Sequence, residues 1–353
     1  MNKFEITISE ISEINSALGK KTQERLDNLT KPRGSLGRLE ELAVKLTAIT
    51  WKEDPPVKKK VIFVLAGDHG VAAEGVSAYP REVTPQMVLN FLHGGAGINV
   101  LARNMGGRVV IADMGVASDL EPHPELVIKK VRYGTANITK GPAMTKEEAV
   151  ISVERGIEIF ESEFKKGIDI AGTGDMGIGN TTPSSAIVSV MTGRSVEDVT
   201  GRGTGIDDAG LERKIALIKK AIEINRPDPK DAMDVLSRVG GFEIGGLAGV
   251  ILGAASKKVP VVIDGFISGA AALIAAQIEP KTKDYMIAAH SSVEKGHRAC
   301  LDYMGLRPLL DLDLRLGEGT GAALAINIVE GAVKILTEMA TFQSASVSRG
   351  NEK

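Results

Sequence analysis

A glycine-rich segment spanning residues 172–182 combines the groups that bind phosphate without much side-chain charge. It reads Gly-Thr-Gly-Asp-Met-Gly-Ile-Gly-Asn-Thr-Thr, follows a short apolar run and precedes a helical pattern near Ser184. Alternating glycines expose backbone N–H groups, and Thr181 and Thr182 add hydroxyls close to a helix N-terminus. No Gly-Lys-Ser/Thr sequence ends the segment, so it is not a P-loop. The segment predicts a phosphate site, with simple turn formation as the alternative.

A second glycine-rich segment, residues 201–208, leads into a helix that carries Arg213 and Lys214. Its sequence is Gly-Arg-Gly-Thr-Gly-Ile-Asp-Asp. Lys214 can bind a phosphate or a carboxylate, but its spacing alone favours a solvated helix face. Asp207 and Asp208 are followed by Ala-Gly-Leu, whereas a magnesium-dependent diphosphosugar site would need a threonine-rich loop there. The sequence argues against that kind of metal site.

Glu318 lies between glycines in the sequence Leu-Arg-Leu-Gly-Glu-Gly-Thr-Gly, residues 314–321. Desolvation by Leu314 and Leu316 would raise the pKa of its carboxyl and make the carboxylate a better general base. A glutamate at a helix N-terminus is also favoured by the helix dipole without any catalytic role. The residues alone leave both interpretations open.

A metal site is the alternative chemistry that the sequence offers. Its ligands would come from separate positions: Asp68, His69, Asp113, Asp175 and His290. None of them has the close His-x-x-x-His spacing of a metal motif, so the sequence disfavours this site. The single cysteine, Cys300, excludes an intramolecular disulfide and a cysteine-cluster metal site.

Five short apolar runs are each followed by polar or small residues, among them the candidate ligands and the first glycine-rich segment. The runs span residues 61–65, 108–112, 168–171, 259–263 and 285–289, and polar or small residues follow at 67–70, 113–115, 172–177, 264–266 and 290–292. Continuous apolar runs that alternate with helical patterns are typical of a parallel sheet. The predicted fold class is therefore α/β, a mostly parallel sheet with helices on both faces. Ligands bind at the carboxyl ends of such strands, so we expect a crevice there.

Both ends of the chain are predicted to be helical. Ser35 is placed to cap a helix whose apolar positions recur at helical spacing, namely Leu39, Leu42, Leu46 and Ile49. The chain from Leu306 onward is helical again, and residues 321–339 form an apolar helix. The basic loop at residues 31–38 either connects two helices or faces an anion.

These patterns predict two domains. Residues 1–58 contribute N-terminal helices to a small domain, and residues 59–305 form the large α/β domain. Residues 306–353 carry Glu318 and complete the small domain.

Composition limits the classes of protein that the chain can belong to. Its 353 residues include 43 Lys and Arg against 45 Asp and Glu, so it lacks the basic excess of a general nucleic-acid binder. Hydrophobic residues make up 43% and charged residues 25%, which excludes wholesale disorder. The best membrane-span candidate, residues 259–278, contains Pro260 and Asp264 and reads better as strand, turn and helix. Without a visible signal segment, we expect a soluble, cytoplasmic protein with no nucleic-acid partner and no membrane span.

The motifs together resemble those of the nicotinate-nucleotide–dimethylbenzimidazole phosphoribosyltransferase family, in order along nearly the whole chain. The matching segments are residues 31–38, 65–71, 82–88, 94–99, 174–182, 201–205, 264–266 and 316–321. The resemblance implies a Rossmann-like large domain, a small domain built from both chain termini, and a homodimer. It also implies transfer of phosphoribose from nicotinate mononucleotide to 5,6-dimethylbenzimidazole, giving α-ribazole 5′-phosphate and nicotinate for cobalamin.

The resemblance assigns roles to individual residues, with Glu318 as the catalytic base. The phosphoribosyl and nucleotide contacts would be Gly174, Asp175, Gly177, Gly179, Asn180, Thr181, Thr182, Gly203, Thr204, Lys214, Gly265, Ser291 and Ser292. The acceptor base would contact Ser77, Tyr79, Gln86, Met87 and Leu316, although Met87 also fits plain core packing. The family often has Glu where this chain has Asp175, whose shorter arm leaves its reach to the ligand open. His290 either borders the nucleotide or is a buried histidine of the crevice.

The implied chemistry needs no metal and no cofactor, because a pyridinium glycoside releases its ring as a neutral base. Two rival functions fit the same crevice. One is a metal-dependent hydrolase of a phosphorylated nucleoside that uses Asp68, His69 and His290. The other is a nucleotide-binding protein without catalytic activity, in which Glu318 would have no reason to lie at the ligand.

Overall fold

The computed structural model describes residues 2–348, and a six-stranded parallel sheet forms its centre. The strands are β1 (Lys60–Gly67), β2 (Arg108–Gly115), β3 (Leu126–Ile128), β4 (Ile170–Met176), β5 (Val261–Ile263) and β6 (Met286–Ala288), in the spatial order β3-β2-β1-β4-β5-β6. Each neighbouring pair is parallel. The α/β fold with a parallel sheet, predicted from the apolar runs, is confirmed. Strand β3 was not predicted, since its three residues are flanked by Glu125 and Lys129 and are not part of a longer apolar run.

Helices connect the strands and cover both faces of the sheet. They are α1 (Lys3–Glu10), α2 (Ser16–Asp27), α3 (Arg38–Thr50), α4 (Val83–Leu92), α5 (Gly97–Asn104), α6 (Lys146–Phe164), α7 (Thr181–Thr192), α8 (Val196–Val199), α9 (Asp208–Asn225), α10 (Ala232–Val239), α11 (Phe242–Ser256), α12 (Phe266–Ile278), α13 (Thr282–Tyr285), α14 (Lys295–Met304) and α15 (Thr320–Glu338), with a 3₁₀-helix at Gly70–Glu74. Helices α6, α7, α11 and α12 supply much of the core on one face. Helices α3, α4, α5 and α15 supply the core on the other.

The two ends of the chain meet beside the sheet. Leu26 and Leu29, at the end of α2, pack with Ala43 of α3 and Leu336 of α15. Helix α1 is different, since it packs against α6 and α11 of the predicted large domain. The division into domains at residues 58 and 306 stays a prediction, and its last residues, 349–353, lie outside the described part of the chain.

Several local predictions from the sequence are wrong. Helix α3 begins at Arg38 after Gly37 and has no side-chain cap, so Ser35 does not cap it. Residues 306–319 are not helical. They run beside the chain that follows β6, where the backbone N–H of Ser291 donates to the carbonyl of Leu310. The carboxyl end of β6 is therefore covered by extended chain.

The basic loop at residues 31–38 connects α2 to α3. The ammonium of Lys31 lies 2.8 Å from a carboxylate oxygen of Glu40, and both side chains are buried. Arg38 donates to the backbone carbonyls of Arg307 and Pro308. These contacts support the connecting interpretation of the loop over the anion-facing one.

Helix α15 has the length and apolar composition that a membrane span needs, but 56% of its most apolar window is buried inside the protein. It packs against the sheet as part of the core. Residues 259–278, the candidate span from the sequence, fold as β5, a turn and α12.

Candidate active site

The carboxyl ends of β1 and β4 meet at the centre of the sheet, where the strand order reverses. In open α/β sheets this reversal is where ligands bind, because the connections leave in opposite directions and open a crevice. Gly67 at the end of β1 and Gly177 just after β4 are so close that a Cβ on Gly177 would collide with the carbonyl oxygen of Gly67. The loops that follow the two strands therefore form one continuous surface.

Glu318 enters this crevice from the turn before α15. Its backbone is left-handed, with φ of +61°, and it lies between Gly317 and Gly319, which also have positive φ. The carbonyl oxygen of Glu318 contacts β4 at Gly174, where any Cβ would collide with it. Gly174 is thus required for close packing of the turn on the strand.

The carboxylate of Glu318 is buried against the N-terminus of α5. Oε2 accepts a hydrogen bond of 3.1 Å from the backbone N–H of Ile98. Burial raises the pKa of Glu318 above its ordinary value, and this hydrogen bond opposes the rise. The predicted desolvation by leucines is only partly right, since Leu314 is half-buried but Leu316 is 61% exposed. The burial comes instead from α5 and β4.

Two further carboxyl groups lie close to Glu318. Asp264, at the end of β5, accepts hydrogen bonds from the backbone N–H groups of Gly319 and Ala322. Burial raises the pKa of Asp264 to about 7 despite these bonds. Asp175 in β4 is buried beside Gly317, and burial together with the charge of Asp264 raises its pKa to about 8. Neutral Asp175 avoids placing three adjacent negative charges in one buried site.

Lys214 forms a second polar cluster with the start of α7. The side chain is fully buried on α9, so the solvated-face interpretation is wrong. Its ammonium donates a hydrogen bond of 2.7 Å to Oγ1 of Thr181. A Cβ on Gly203 would lie 3.3 Å from that ammonium, so the second glycine-rich segment also reaches it. Burial lowers the pKa of Lys214 to about 8.

The glycine-rich segment at residues 172–182 is not one loop. Residues 172–176 belong to β4, and only residues 177–180 form the loop before α7. The backbone N–H of Ile178 donates to Oγ1 of Thr84, and Gly179 has φ of +89°. Thr181 and Thr182 open α7, as predicted, and the hydroxyl of Thr181 brings the N-terminus of this helix to Lys214.

The segment before α4 contacts the second glycine-rich segment. Oγ1 of Thr204 accepts a hydrogen bond from the backbone N–H of Ala78 at 3.0 Å, and it lies 3.1 Å from Oγ of Ser77. Tyr79 is 55% exposed next to this contact. On α4, Gln86 is exposed, whereas Met87 is half-buried and packs on the sheet core. Met87 therefore has the core contact that was the alternative to base binding.

The residues after β5 and β6 line the other side of the crevice. A Cβ on Gly265 would lie 3.5 Å from Nε2 of His290, which is buried, and burial lowers the pKa of that histidine. Ser291 is bound through its backbone to Leu310. The hydroxyl of Ser292 accepts the backbone N–H of Glu294 at 3.4 Å. Both serines therefore make hydrogen bonds that hold the chain after β6 in place.

Comparison with known proteins identifies the family. The family model described as phosphoribosyltransferase matches residues 11–347. The nicotinate-nucleotide–dimethylbenzimidazole phosphoribosyltransferase of Chloroflexus aggregans is 57% identical over 98% of both chains, and that of Desulforudis audaxviator is 57% identical over 99% of both. The crystal structure of the enzyme of that name from Thermus thermophilus has a TM-score of 0.90 and 45% identity, over 95% of this chain and 99% of that chain. The chain belongs to this phosphoribosyltransferase family.

One buried pair in this phosphoribosyltransferase was missed by sequence reasoning. Nε2 of His69 lies 2.7 Å from Oε1 of Glu243, and both side chains are buried. Burial acts to lower the pKa of His69, but the charge of Glu243 and the hydrogen bond to it raise that pKa. A lone charged residue at the start of the apolar helix α11 was the available signal for Glu243. The pair lies against the loop after β4, since a Cβ on Gly177 would be 3.4 Å from Nε2 of His69.

The metal alternative has no geometric support in the phosphoribosyltransferase. Within residues 2–348, no three or more His, Cys, Asp or Glu side chains are grouped so that they could hold a metal ion. His69 is paired with Glu243, and Asp113 is 3.2 Å from the ammonium of Lys130. Asp68 accepts the backbone N–H of Ala117, and Asp175 accepts the side-chain amide of Asn180.

Proposed function

We propose that this phosphoribosyltransferase moves phosphoribose from nicotinate mononucleotide to 5,6-dimethylbenzimidazole. The products are α-ribazole 5′-phosphate and nicotinate, and the reaction serves cobalamin biosynthesis. The names of relatives that are 57% identical over nearly the whole chain support the two substrates. The homodimer and the cytoplasmic location stay predictions.

The observation that carries the mechanism is the environment of Glu318. One carboxylate oxygen is fixed by the backbone N–H of Ile98, and within residues 2–348 the other oxygen, Oε1, accepts no hydrogen bond. A buried carboxylate with one oxygen fixed and a raised pKa suits the role of general base. We assign Oε1 to the N–H of the acceptor ring.

The proposed step is a single in-line displacement. One nitrogen of the benzimidazole attacks C1′ of the ribose, and the bond from C1′ to the pyridinium nitrogen breaks. The bonding electron pair leaves with nicotinate, whose ring becomes neutral. The other ring nitrogen of the acceptor loses its proton to Glu318, so no cationic product forms. A β-linked donor thereby gives an α-linked product.

The donor phosphate is assigned to the cluster around Lys214. The ammonium of Lys214, the hydroxyl of Thr181 and the N-terminus of α7 converge there. A helix N-terminus favours an anion through its free N–H groups and its dipole. Gly203 borders the same cluster. We propose that these groups bind the phosphate while Glu318 faces the acceptor.

The test is turnover of the Glu318→Gln variant. Incubation with nicotinate mononucleotide and dimethylbenzimidazole, followed by chromatography of released nicotinate, measures the rate. We expect a decrease of about 10²- to 10⁴-fold, because a positioned base contributes about that factor. Donor binding, measured by calorimetry, should persist. Glu330→Gln is the matched control, since Glu330 lies on α15 in an ion pair with Lys60.

Each outcome of this assay separates the rival functions. Release of nicotinate that depends on the acceptor supports the transferase. Hydrolysis of the nucleotide that requires an added divalent metal would support the hydrolase. Nucleotide binding without turnover would support a binding protein, and near-normal turnover of Glu318→Gln would remove Glu318 from the role of base.

A further inference from the structure

The turn that carries Glu318 has an unusual backbone. Three consecutive residues are left-handed, with φ of +79° at Gly317, +61° at Glu318 and +92° at Gly319. Glycine adopts this conformation readily, but a residue with a side chain is strained there. Other contacts must therefore hold the turn, and those contacts determine where the carboxylate of Glu318 points.

Asp264 supplies two of these contacts from the end of β5. Oδ2 accepts the backbone N–H of Gly319 at 3.1 Å, and Oδ1 accepts the backbone N–H of Ala322 at 2.9 Å. These N–H groups lie at the N-terminus of α15, where Gly319 is the cap residue, so Asp264 caps this helix from another element, and the helix dipole favours a negative charge there. The side chain is fully buried, and both oxygens face backbone. Asp264 is thus directed at the turn rather than at the crevice.

The position of Asp264 is itself fixed by the neighbouring strand. Its backbone N–H donates to Oγ1 of Thr173 in β4 at 3.1 Å. Nε2 of His290 lies 3.9 Å from Oδ1 on another side. At the turn, the hydroxyl of Thr320 donates to the carbonyl of Gly317 at 2.9 Å and closes it from within. A continuous set of contacts therefore runs from the sheet through Asp264 to the turn before α15.

We propose that Asp264 is a positioning residue that holds Glu318 in the geometry of a general base. This inference rests on the proposed function, in which Glu318 removes the proton of the acceptor. Asparagine at position 264 would fill the same space but would turn an amide N–H₂ toward one of the two backbone donors. The turn would then relax, and the carboxylate of Glu318 would shift from Ile98.

The experiment is a double-mutant cycle of Asp264→Asn with Glu318→Gln. Asp264→Asn alone should lower kcat by about 10- to 100-fold, the effect of misplacing a catalytic group by about 1 Å. The KM for nicotinate mononucleotide should stay within about threefold, since the phosphate cluster is untouched. In the Glu318→Gln background the same substitution should change turnover by less than about twofold, because residues that act through one group are not additive.

Asp113→Asn is the matched control for loss of a buried carboxylate at a strand end. Asp113 accepts the backbone N–H of Val116 and is as buried as Asp264, but it lies on β2 away from the turn. Any effect of Asp113→Asn should be the same with Glu or Gln at position 318. The proposal is wrong if Asp264→Asn leaves kcat within twofold of normal, or lowers it equally in both backgrounds. Normal turnover of Glu318→Gln alone would instead contradict the proposed function.

A second variant keeps the test valid if Asp264→Asn fails to fold, which thermal melting would show. Thr320→Val removes the hydroxyl that donates to Gly317 and preserves the shape of the side chain. It should lower kcat by several-fold with Glu at 318 and have no further effect with Gln there. Unchanged turnover, or an equal decrease in both backgrounds, would overturn the proposal.

Discussion

Asn180 donates a hydrogen bond of 2.8 Å to Oδ2 of Asp175, while Oδ1 of the same carboxyl is buried without a hydrogen-bond partner among residues 2–348. One bound oxygen and one unbound oxygen in a buried site are tolerated best by a protonated carboxyl. This explains why burial, with the nearby charge of Asp264, raises the pKa of Asp175 to about 8. The carboxyl group of Asp175 lies at the turn that carries Glu318, beside Gly317.

Asp175→Asn should change how stability depends on pH. In the unfolded chain Asp175 loses its proton near pH 4, whereas in the folded chain it keeps that proton until about pH 8. The folded state binds more protons across this window, so its contribution to stability falls as pH rises. Asparagine does not titrate, so the melting temperature of the variant relative to the natural protein should rise between pH 5 and pH 8. A constant difference across that range would contradict the raised pKa.

Gly174→Ala should lower both turnover and stability. The added Cβ would collide with the carbonyl of Glu318 and displace the turn. Overpacking of this kind destabilises a protein by about 1–3 kcal/mol, and displacement of the base adds a loss of turnover of 10-fold or more, on the order expected for a misplaced catalytic group. Thermal melting and nicotinate release measure the two effects.

Gly331→Ala is the matched control on α15. A Cβ there meets no atom within 4 Å, and alanine in a helix is favoured over glycine by about 0.5–1 kcal/mol. This variant should melt at a higher temperature and turn over normally. Equal turnover of the two alanine variants would show that Gly174 does not position the turn.

The structural roles of individual glycines could not be predicted from the sequence. Residues 172–182 read as one phosphate-binding loop, because the sequence shows that glycine is present but not what packs against it. Gly174 lies in β4 and makes room for the turn at Glu318, whereas Gly177 and Gly179 do lie in the loop. The apolar runs predicted the parallel sheet correctly, since burial on both faces leaves a local signature.

Contacts between distant residues were harder to predict. The sequence favoured a solvated helix face for Lys214, because the pattern of one helix cannot show that Thr181 of another helix contacts it. His69 and Glu243 are 174 positions apart in the chain, so no local spacing connects them. For the same reason, the sequence alone could not show that Glu318 contacts α5, 220 positions away in the chain.

Lys214→Met should weaken donor binding. The buried ammonium beside Thr181 is the main positive charge of the assigned phosphate site, and a hydrogen bond to a charged group contributes about 1.5–3 kcal/mol. The KM for nicotinate mononucleotide should rise about 10- to 100-fold, with a smaller change in kcat. Because burial lowers the pKa of Lys214 to about 8, donor binding to the natural protein should also weaken above that pH.

Lys220→Met is the control for the loss of a positive charge from α9. Lys220 is exposed on the same helix, so donor binding should be unchanged in this variant. An equal rise in KM for both variants would indicate a general electrostatic effect and contradict a specific phosphate contact at Lys214.

Thr204→Val should affect the acceptor more than the donor. The hydroxyl of Thr204 joins the second glycine-rich segment to the chain at Ser77 and Ala78, which leads to the segment assigned to the acceptor base. Valine preserves the shape but removes both contacts, each worth about 0.5–1.5 kcal/mol. We expect the KM for dimethylbenzimidazole to rise several-fold, measured at saturating donor. Ser77→Ala removes the contact with Thr204 and the hydrogen bond that Oγ of Ser77 accepts from the backbone N–H of Tyr79, but it leaves the bond from Ala78 to Thr204. We expect a similar several-fold rise in this KM. A much larger rise would show that Ser77 contacts the acceptor itself rather than acting through Thr204.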